Sequence, residues 1–177
     1  LQFADRALKT NPKLGWSAES LFQMQCKQKE WAAALETLSL AKRNGTIDKS
    51  GIDRKRAVLL AAQAQDAEEN ETDKALTLAL EAHNLAPDLV PAACVAGRIL
   101  ASRGNTAKAA KVLQKTWARS PHPDIATAYA YARVGDSTRD RLERVRQLAA
   151  INPQSIESPI ALATTAVEAR LFDEARS

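Results

Sequence analysis

The sequence predicts an all-α protein built as a solenoid of antiparallel helix pairs, and three observations support this fold class. Apolar residues make up 45% of the chain, chiefly alanine and leucine, whereas aromatic residues make up only 5%. No stretch alternates apolar and polar residues with the Val, Ile, Thr and Tyr content that is typical of strands. Prolines recur at the spacing of one helix pair, and small residues stand where paired helices would cross.

The proline spacing defines the length of the repeat. Pro87 and Pro121 are 34 residues apart, and each follows a helical pattern, at 75–85 and 107–117 respectively. A period in the range of about 20 to 50 residues indicates a repeat architecture. Two antiparallel helices approach closely only where small residues occupy the crossing. The predicted packing positions are Ala93, Ala96, Gly97 and Leu100 on the first helix, Gly104 at the turn, and Ala109 and Leu113 on the second helix.

The same frame divides the chain into about four to five repeats. We expect the chain to begin and to end inside a repeat, as a piece of a longer protein whose truncated ends favour end-to-end self-association. The longest loop is predicted at 44–51, where the sequence is rich in turn-forming residues. The predicted units are the end of a repeat at 1–12, repeats at 13–48, 49–87 and 88–121, a short repeat at 122–153, and the start of another at 154–177.

Helix boundaries are indicated by prolines and by capping residues. Breaks are expected near Pro12, 44–51, Pro87, Pro121 and Pro153. In the short repeat, the first helix is predicted at 125–134. Helix starts are indicated by Asn70, by Asn105, and by Ser137 with Asp140 three residues later, as in a capping box.

These units resemble the tetratricopeptide repeat (TPR), a helix pair of about 34 residues. Along the whole chain, the sequence is similar to the carboxy-terminal TPR region of the HemY-type proteins of alphaproteobacteria. The resemblance implies a bacterial inner-membrane protein, anchored by an amino-terminal pair of helices absent from this sequence and associated with haem biosynthesis. It implies no catalytic residues. The stretches that carry it are ADRALKTNPKLGWSAESLFQMQCKQKEWAAALETL, RKRAVLLAAQA, LALEAHNLAPDLVPAA, SPHPDIATAYAYARVGDSTRDRLERVRQLAAINP and ESPIALATTAVEARLFDEA.

The sequence contains no motif for catalysis or cofactor binding. Its six glycines form neither a phosphate-binding loop nor a nucleophile elbow. His83, His122, Cys26 and Cys94 have no partners at the spacing of a metal site. We therefore predict that the chain is not an enzyme and has no cofactor, metal or catalytic residues. The alternative function is direct handling of haem or porphyrin, with one of these histidines or cysteines as an axial ligand.

The charge distribution favours no particular class of partner. The chain has 25 basic and 21 acidic residues, and its formal net charge is +4. The densest basic run consists of Arg139, Arg141, Arg144 and Arg146, but acidic residues are interspersed at ion-pair spacing. We interpret this run as a solvated helix face. RNA binding is a second alternative, although the repeats lack the base-reading pairs of helical RNA codes.

A helical-repeat array presents the first helix of every pair along a shared concave groove. TPR domains that clamp a carboxylate use Lys, Asn and Arg there, whereas this chain has Glu19 and Gln23 at the matching positions. Two of the groove residues have a bland alternative: Trp16 packs against the helix end at Pro12, and Arg98 pairs with a neighbouring acid. The groove residues that the frame predicts are Trp16, Glu19, Gln23, Lys27, Leu60, Ala64, Cys94, Arg98 and Ala128.

The function that the sequence favours is an interaction scaffold. It would hold a partner protein or peptide in the concave groove, and no nucleic acid. By resemblance, the full-length protein associates with the bacterial inner membrane, and only through the segment that this sequence lacks. We expect Trp16→Ala and Arg98→Glu to weaken partner binding.

Overall fold

The computed structural model describes residues 15–44 and 49–172, with side chains from residue 18 to 44 and from residue 51 onward. These residues form nine α-helices and no strand, which confirms the predicted all-α class. None of the described helices is both long enough and apolar enough to cross a membrane. In chain order the helices are α1 Gly15–Lys27, α2 Trp31–Arg43, α3 Lys49–Ala67, α4 Thr72–Leu85, α5 Val90–Ser102, α6 Thr106–Trp117, α7 Pro123–Ala130, α8 Thr138–Ala149 and α9 Glu157–Glu168.

The helices are arranged as a TPR-type solenoid of antiparallel pairs. Each helix packs against the next one in the chain, and the odd-numbered helices α3, α5, α7 and α9 also contact one another in succession. Helix α4 begins at Thr72 and α6 at Thr106, 34 residues later. The predicted repeat period therefore corresponds to the stacking of successive pairs.

Small residues occupy the helix crossings, as the sequence predicted. Ala79 on α4 and Ala109 on α6 have no exposed surface, and a Cβ atom on Gly97 would lie 2.9 Å from Cδ2 of Leu113. Such close contacts bring the helix axes together and leave room beside the crossing for larger side chains. The largest of these in the central core are Leu113, Trp117, Ile125, Val145 and Leu148.

Polar contacts connect successive pairs near the turn between the two helices of a pair. Lys29 Nζ and Trp31 Nε1 each donate to the Asp66 carboxylate at 3.0 Å, and these two bonds, Lys29 first, lower the pKa of Asp66. One pair further along, Arg103 forms an ion pair with Asp73 at 2.7 Å. These contacts join positions about one repeat apart, so they fix the register between neighbouring pairs.

The loop predicted at 44–51 is shorter than expected, because α3 begins at Lys49. Asn70 does not cap α4, which starts at Thr72 after Glu71. The turn before α4 is closed instead by a backbone hydrogen bond from Glu71 N to Ala67 O at 2.8 Å. The predicted break near Pro12 and the terminal segments at 1–12 and 173–177 lie outside the described residues.

Helix α7 is shorter than the predicted helix at 125–134, since it ends at Ala130. Two features of the following turn, 131–137, explain this. The predicted capping box is present: Ser137 Oγ accepts from Asp140 N at 3.2 Å, and Asp140 Oδ2 accepts from Ser137 N at 2.9 Å. The carboxylate of Asp136, whose side chain is only 8% exposed, pairs with Arg144 on α8. Both contacts hold the turn to α8 and oppose extension of α7.

Candidate functional site

In the described part of the chain, three clefts lie between neighbouring odd-numbered helices. We call the exposed surface of α1, α3, α5, α7 and α9 the odd-helix face. One cleft of about 350 Å³ lies between α1 and α3, and another of about 440 Å³ lies between α5 and α7. A third, of about 90 Å³, lies between α7 and α9. A partner segment that crosses the odd-numbered helices would meet all three clefts, so this face is the candidate site.

Tyr131 lines both the α5–α7 cleft and the α7–α9 cleft. Its side chain is 49% exposed although it is held on two sides. The hydroxyl donates to Glu168 Oε2 at 3.1 Å, and the Arg141 guanidinium lies over the ring, 4.4 Å from its centre. The cation–π contact and the hydrogen bond orient the ring while leaving part of it exposed to a partner.

The α5–α7 cleft combines apolar and charged groups. Val134, in the turn after α7, is 90% exposed and forms part of the wall. Asp124 contributes a carboxylate whose side chain is 70% exposed and lies 3.6 Å from Nδ1 of His122. Small side chains, among them Ala101 and Ala128, form much of the remaining wall. Such a cleft fits an apolar side chain that carries or adjoins a polar group.

Arg98 lies at the edge of the same cleft, as the sequence predicted for a groove residue. Its guanidinium donates to Glu68 through Nε at 2.8 Å and through Nη2 at 2.7 Å, which is a forked ion pair. These hydrogen bonds raise the pKa of Arg98. The alternative in which Arg98 pairs with a neighbouring acid therefore describes its contacts, and the charge that reaches a partner is largely neutralised.

The α1–α3 cleft is the most apolar of the three. It is lined by Phe22, Cys26 and Val58, and Val58 is 48% exposed. Lys55 lies over the Phe22 ring at 5.3 Å and pairs with Glu19. Burial, and then the nearby Glu19 charge, raise the pKa of the Cys26 thiol. Cys26 therefore stays protonated at neutral pH and serves as an apolar wall rather than as a nucleophile.

The groove residues predicted on α1 have different environments. Glu19 pairs with Lys55 across the α1–α3 junction, and Gln23 is exposed and donates to Glu19 Oε1 at 3.4 Å. Lys27 is exposed at the end of α1. The side chain of Trp16 lies outside the described residues. Glu19 and Gln23 thus form part of the α1–α3 junction beside the apolar cleft.

Three other predicted groove residues are buried. Leu60 is only 3% exposed because it packs in a cluster with Ala82 and Ala92. Ala64 has no exposed surface, and Cys94 is 4% exposed, with burial raising the pKa of its thiol to about 11. The predicted assignment of Leu60 to a partner-binding surface is therefore corrected, since its side chain belongs to the core between α3, α4 and α5.

The histidines and cysteines do not form a metal or haem site in the described residues. His83 is 3% exposed at the end of α4, and His122 Nδ1 accepts a hydrogen bond from Asp124 N at 3.2 Å as the N-cap of α7. Within the described ranges, no three His, Cys, Asp or Glu side chains are grouped so that they could hold a metal ion. Iron ligation by His83 would require α4 to separate from its neighbours.

The arginine run on α8 is divided among internal contacts. Arg144 pairs with the largely shielded carboxylate of Asp136, Arg141 lies over Tyr131, and Arg146 pairs with Glu143 at 3.1 Å. Arg139 is exposed. Two of these arginines therefore support the Tyr131 turn instead of forming a uniform solvated face.

Sequence reasoning missed Tyr131 and Val134, because the helical frame placed residues 131–134 inside a helix. One signal was present. The distance from Pro121 to Pro153 is 32 residues, two fewer than the repeat length. A shortened repeat must lose part of a helix or of a turn, and here the loss exposes two apolar side chains in a turn at the edge of the odd-helix face.

The fold was compared with solved structures, and two TPR proteins represent the similarities found. TTC0263, a thermophilic TPR protein in Thermus thermophilus, is 22% identical over 94% of this chain and 88% of that chain, with a TM-score of 0.42. MamA 41-end from Desulfovibrio magneticus RS-1 is 18% identical over 92% of this chain and 89% of that chain, with a TM-score of 0.48. No protein-family model and no curated protein matches the sequence significantly.

Proposed function

We propose that this chain is an interaction scaffold that binds a partner protein or peptide on its odd-helix face. The observation that carries the proposal is the pair of exposed apolar side chains, Tyr131 and Val134, at the α5–α7 cleft. Adjoining exposed apolar groups beside a cleft are typical of interaction sites. Tyr131 also reaches the α7–α9 cleft, so one contact residue serves two neighbouring subsites.

The turn that carries these side chains is held firmly. Ser137 and Asp140 cap α8, and Asp136 pairs with Arg144. Because the backbone is already ordered, a partner loses less conformational entropy in binding to it than to a mobile loop. Tyrosine has the additional advantage of a large contact area with few rotatable bonds.

The partner that fits best presents a large apolar side chain to the α5–α7 cleft. Carboxylates of Asp124 and Glu168 lie at the rims of the two clefts next to Tyr131. A basic or hydrogen-bond-donating group beside the apolar anchor would complement them. In the cellular setting implied by the HemY-type resemblance, the scaffold would be tethered at the bacterial inner membrane and gather proteins linked to haem biosynthesis.

The proposal is tested by selecting binding peptides from a random display library with the purified chain. The variant Tyr131→Ser/Val134→Ser removes the apolar contact without touching the buried core. We expect the dissociation constant of the selected peptides to rise by about tenfold or more, as is usual for loss of a central anchor.

A matched control removes an apolar side chain elsewhere. Leu40 on α2 is 39% exposed and lines none of the three clefts, so Leu40→Ser is expected to bind as the wild type does. The proposal is wrong if the selected peptides bind the Tyr131→Ser/Val134→Ser variant with unchanged affinity.

A further inference from the structure

We propose that helix α6 carries a second docking surface, which binds an acidic helix of a partner protein. The surface consists of Lys108, Lys111, Lys115 and Arg119, and we call it the α6 basic stripe. It belongs to an even-numbered helix and includes no residue of the odd-helix face. The inference is therefore independent of the proposed function of that face.

The four cations form one continuous row. They are spaced by three, four and four residues, and all are exposed. At 100° per residue they fall within an arc of about 80°, and at 1.5 Å per residue they extend over about 16 Å. A straight row of this length matches three turns of a second helix lying along α6.

The α6 basic stripe has no internal counter-charge. In the described parts of the chain, none of its four members forms an ion pair, and α6 itself contains no acidic residue. Arg119 Nη1 instead donates to the Lys115 carbonyl at 3.1 Å. Other cations behave differently: Arg54 pairs with Asp88 at 2.5 Å, and Arg56 pairs with Glu81 at 2.6 Å.

The field of the stripe reaches a buried neighbour. His83, on the preceding even-numbered helix, has a lowered pKa, chiefly because of burial and then because of Lys115 and Arg119. The two cations thus act on His83 without an intervening carboxylate to offset them. An anionic group that binds over Lys115 and Arg119 would reduce this positive potential.

The chemistry of the surrounding surface favours a narrow protein partner over a bilayer. None of the exposed large apolar side chains among the described residues lies on α6, so nothing there would insert into a membrane interface. The neighbouring even-numbered helices present mixed charge, including Glu81 on α4 and Glu143 on α8. A bilayer or a nucleic-acid duplex would cover these carboxylates as well, whereas a single helix along α6 meets only the cations.

A helix is favoured because small residues accompany the row. Ala107 and Ala118 are exposed at its two ends, so a partner helix can approach α6 closely there. Exposed ion pairs contribute little one at a time. Binding therefore depends on four carboxylates placed on one face of the partner, at spacings of four, four and three residues in the antiparallel direction.

The test uses two alanine-rich helical peptides of identical composition, each with four glutamates. In the first peptide the glutamates are spaced four, four and three residues apart on one face, and in the second they are distributed around the helix. Fluorescence anisotropy at low ionic strength, where screening is weak, measures binding to the whole chain. We expect the one-face peptide to bind about tenfold more tightly or better.

Two sets of variants locate the binding. Lys111→Glu/Lys115→Glu and the milder Lys111→Gln/Lys115→Gln should both abolish the preference for the one-face peptide. The control Lys74→Glu/Arg139→Glu carries the same net-charge change as the first variant on helices α4 and α8, and it should keep the preference. Tyr131→Ser/Val134→Ser should keep it too, which separates this surface from the odd-helix face.

Three results would overturn the proposal. The first is equal affinity for the two peptides, which indicates attraction to any polyanion. The second is an equal loss in the stripe variants and the control, which indicates an effect of net charge. The third is tighter binding of phosphatidylglycerol vesicles or of duplex DNA than of the one-face peptide, because the surface then recognises a membrane or a nucleic acid.

Discussion

Gly97 marks the closest approach of α5 to α6. A Cβ atom there would lie 2.9 Å from Cδ2 of Leu113, which has no exposed surface and little room to move. We expect Gly97→Val to lower the free energy of unfolding by about 1–3 kcal/mol, the usual cost of overpacking. Urea denaturation measures this loss. Ala107→Val, at an exposed site on α6, should cost far less, and equal losses would show that the crossing lies elsewhere.

His83 makes stability depend on pH. Burial, followed by Lys115 and Arg119, lowers the pKa of His83 from 6.5, so the folded state holds the neutral ring. The unfolded chain binds a proton below pH 6.5 that the folded chain resists. Stability is therefore full above this pH and is lost progressively as the pH falls through the window between the unfolded and the folded pKa.

The measurement is the urea midpoint on either side of that pH. His83→Gln should flatten the dependence, and His122→Gln, at the exposed cap of α7, should preserve it. An unchanged dependence in His83→Gln would contradict the assignment of the proton to this residue.

Arg98 requires a test that separates pairing from partner binding. Arg98→Glu alone opposes Glu68 and should lower stability by about 1 kcal/mol or less, because the pair is partly exposed. The swap Arg98→Glu/Glu68→Arg should recover that stability. If the Arg98 guanidinium also contacts the partner, the swap will not recover peptide affinity, and a full recovery of both would leave Arg98 a purely structural role.

At the scale of elements, the start of α8 controls the turn that carries Tyr131 and Val134. The hydrogen bonds from Ser137 to Asp140 lower the pKa of that carboxylate and close the capping box. We expect Ser137→Ala to reduce stability by about 1 kcal/mol and to weaken binding of the selected peptides. Thermal denaturation and anisotropy give the two values.

Asn105 provides the matched control for this cap. It occupies the N-cap position of α6 but makes no side-chain hydrogen bond there. Asn105→Ala should therefore change stability only slightly. If both variants lose the same amount, the capping box contributes nothing beyond local helix propensity.

At the scale of the whole molecule, stability should be the sum of the pairs and of the junctions between neighbours. Asp66 ties the first pair to the second through Lys29 and Trp31. We expect Asp66→Ala to speed amide hydrogen exchange in α1 and α2 more than in α5 to α8. A uniform acceleration over all helices would show that the array unfolds as one unit.

The sequence by itself determined the fold class, the repeat length and several helix ends. The 34-residue spacing, the alanines at the crossings and the Ser137 capping box are local patterns, because helical periodicity and capping depend on residues within a few turns. Arg98 was also placed correctly at the edge of a cleft on the odd-helix face.

Only the tertiary structure decided which side chains are free to meet a partner. Leu60 and Cys94 fit the groove frame but are buried, since the neighbouring pair covers them. Tyr131 and Val134 became surface residues because Asp136 and Ser137 bind α8 and end α7 early. Likewise, Arg98 finds Glu68 and the α6 basic stripe finds no acid only once the pairs are stacked. Exposure and pairing depend on contacts about one repeat away, and a pattern within a single helix does not contain them.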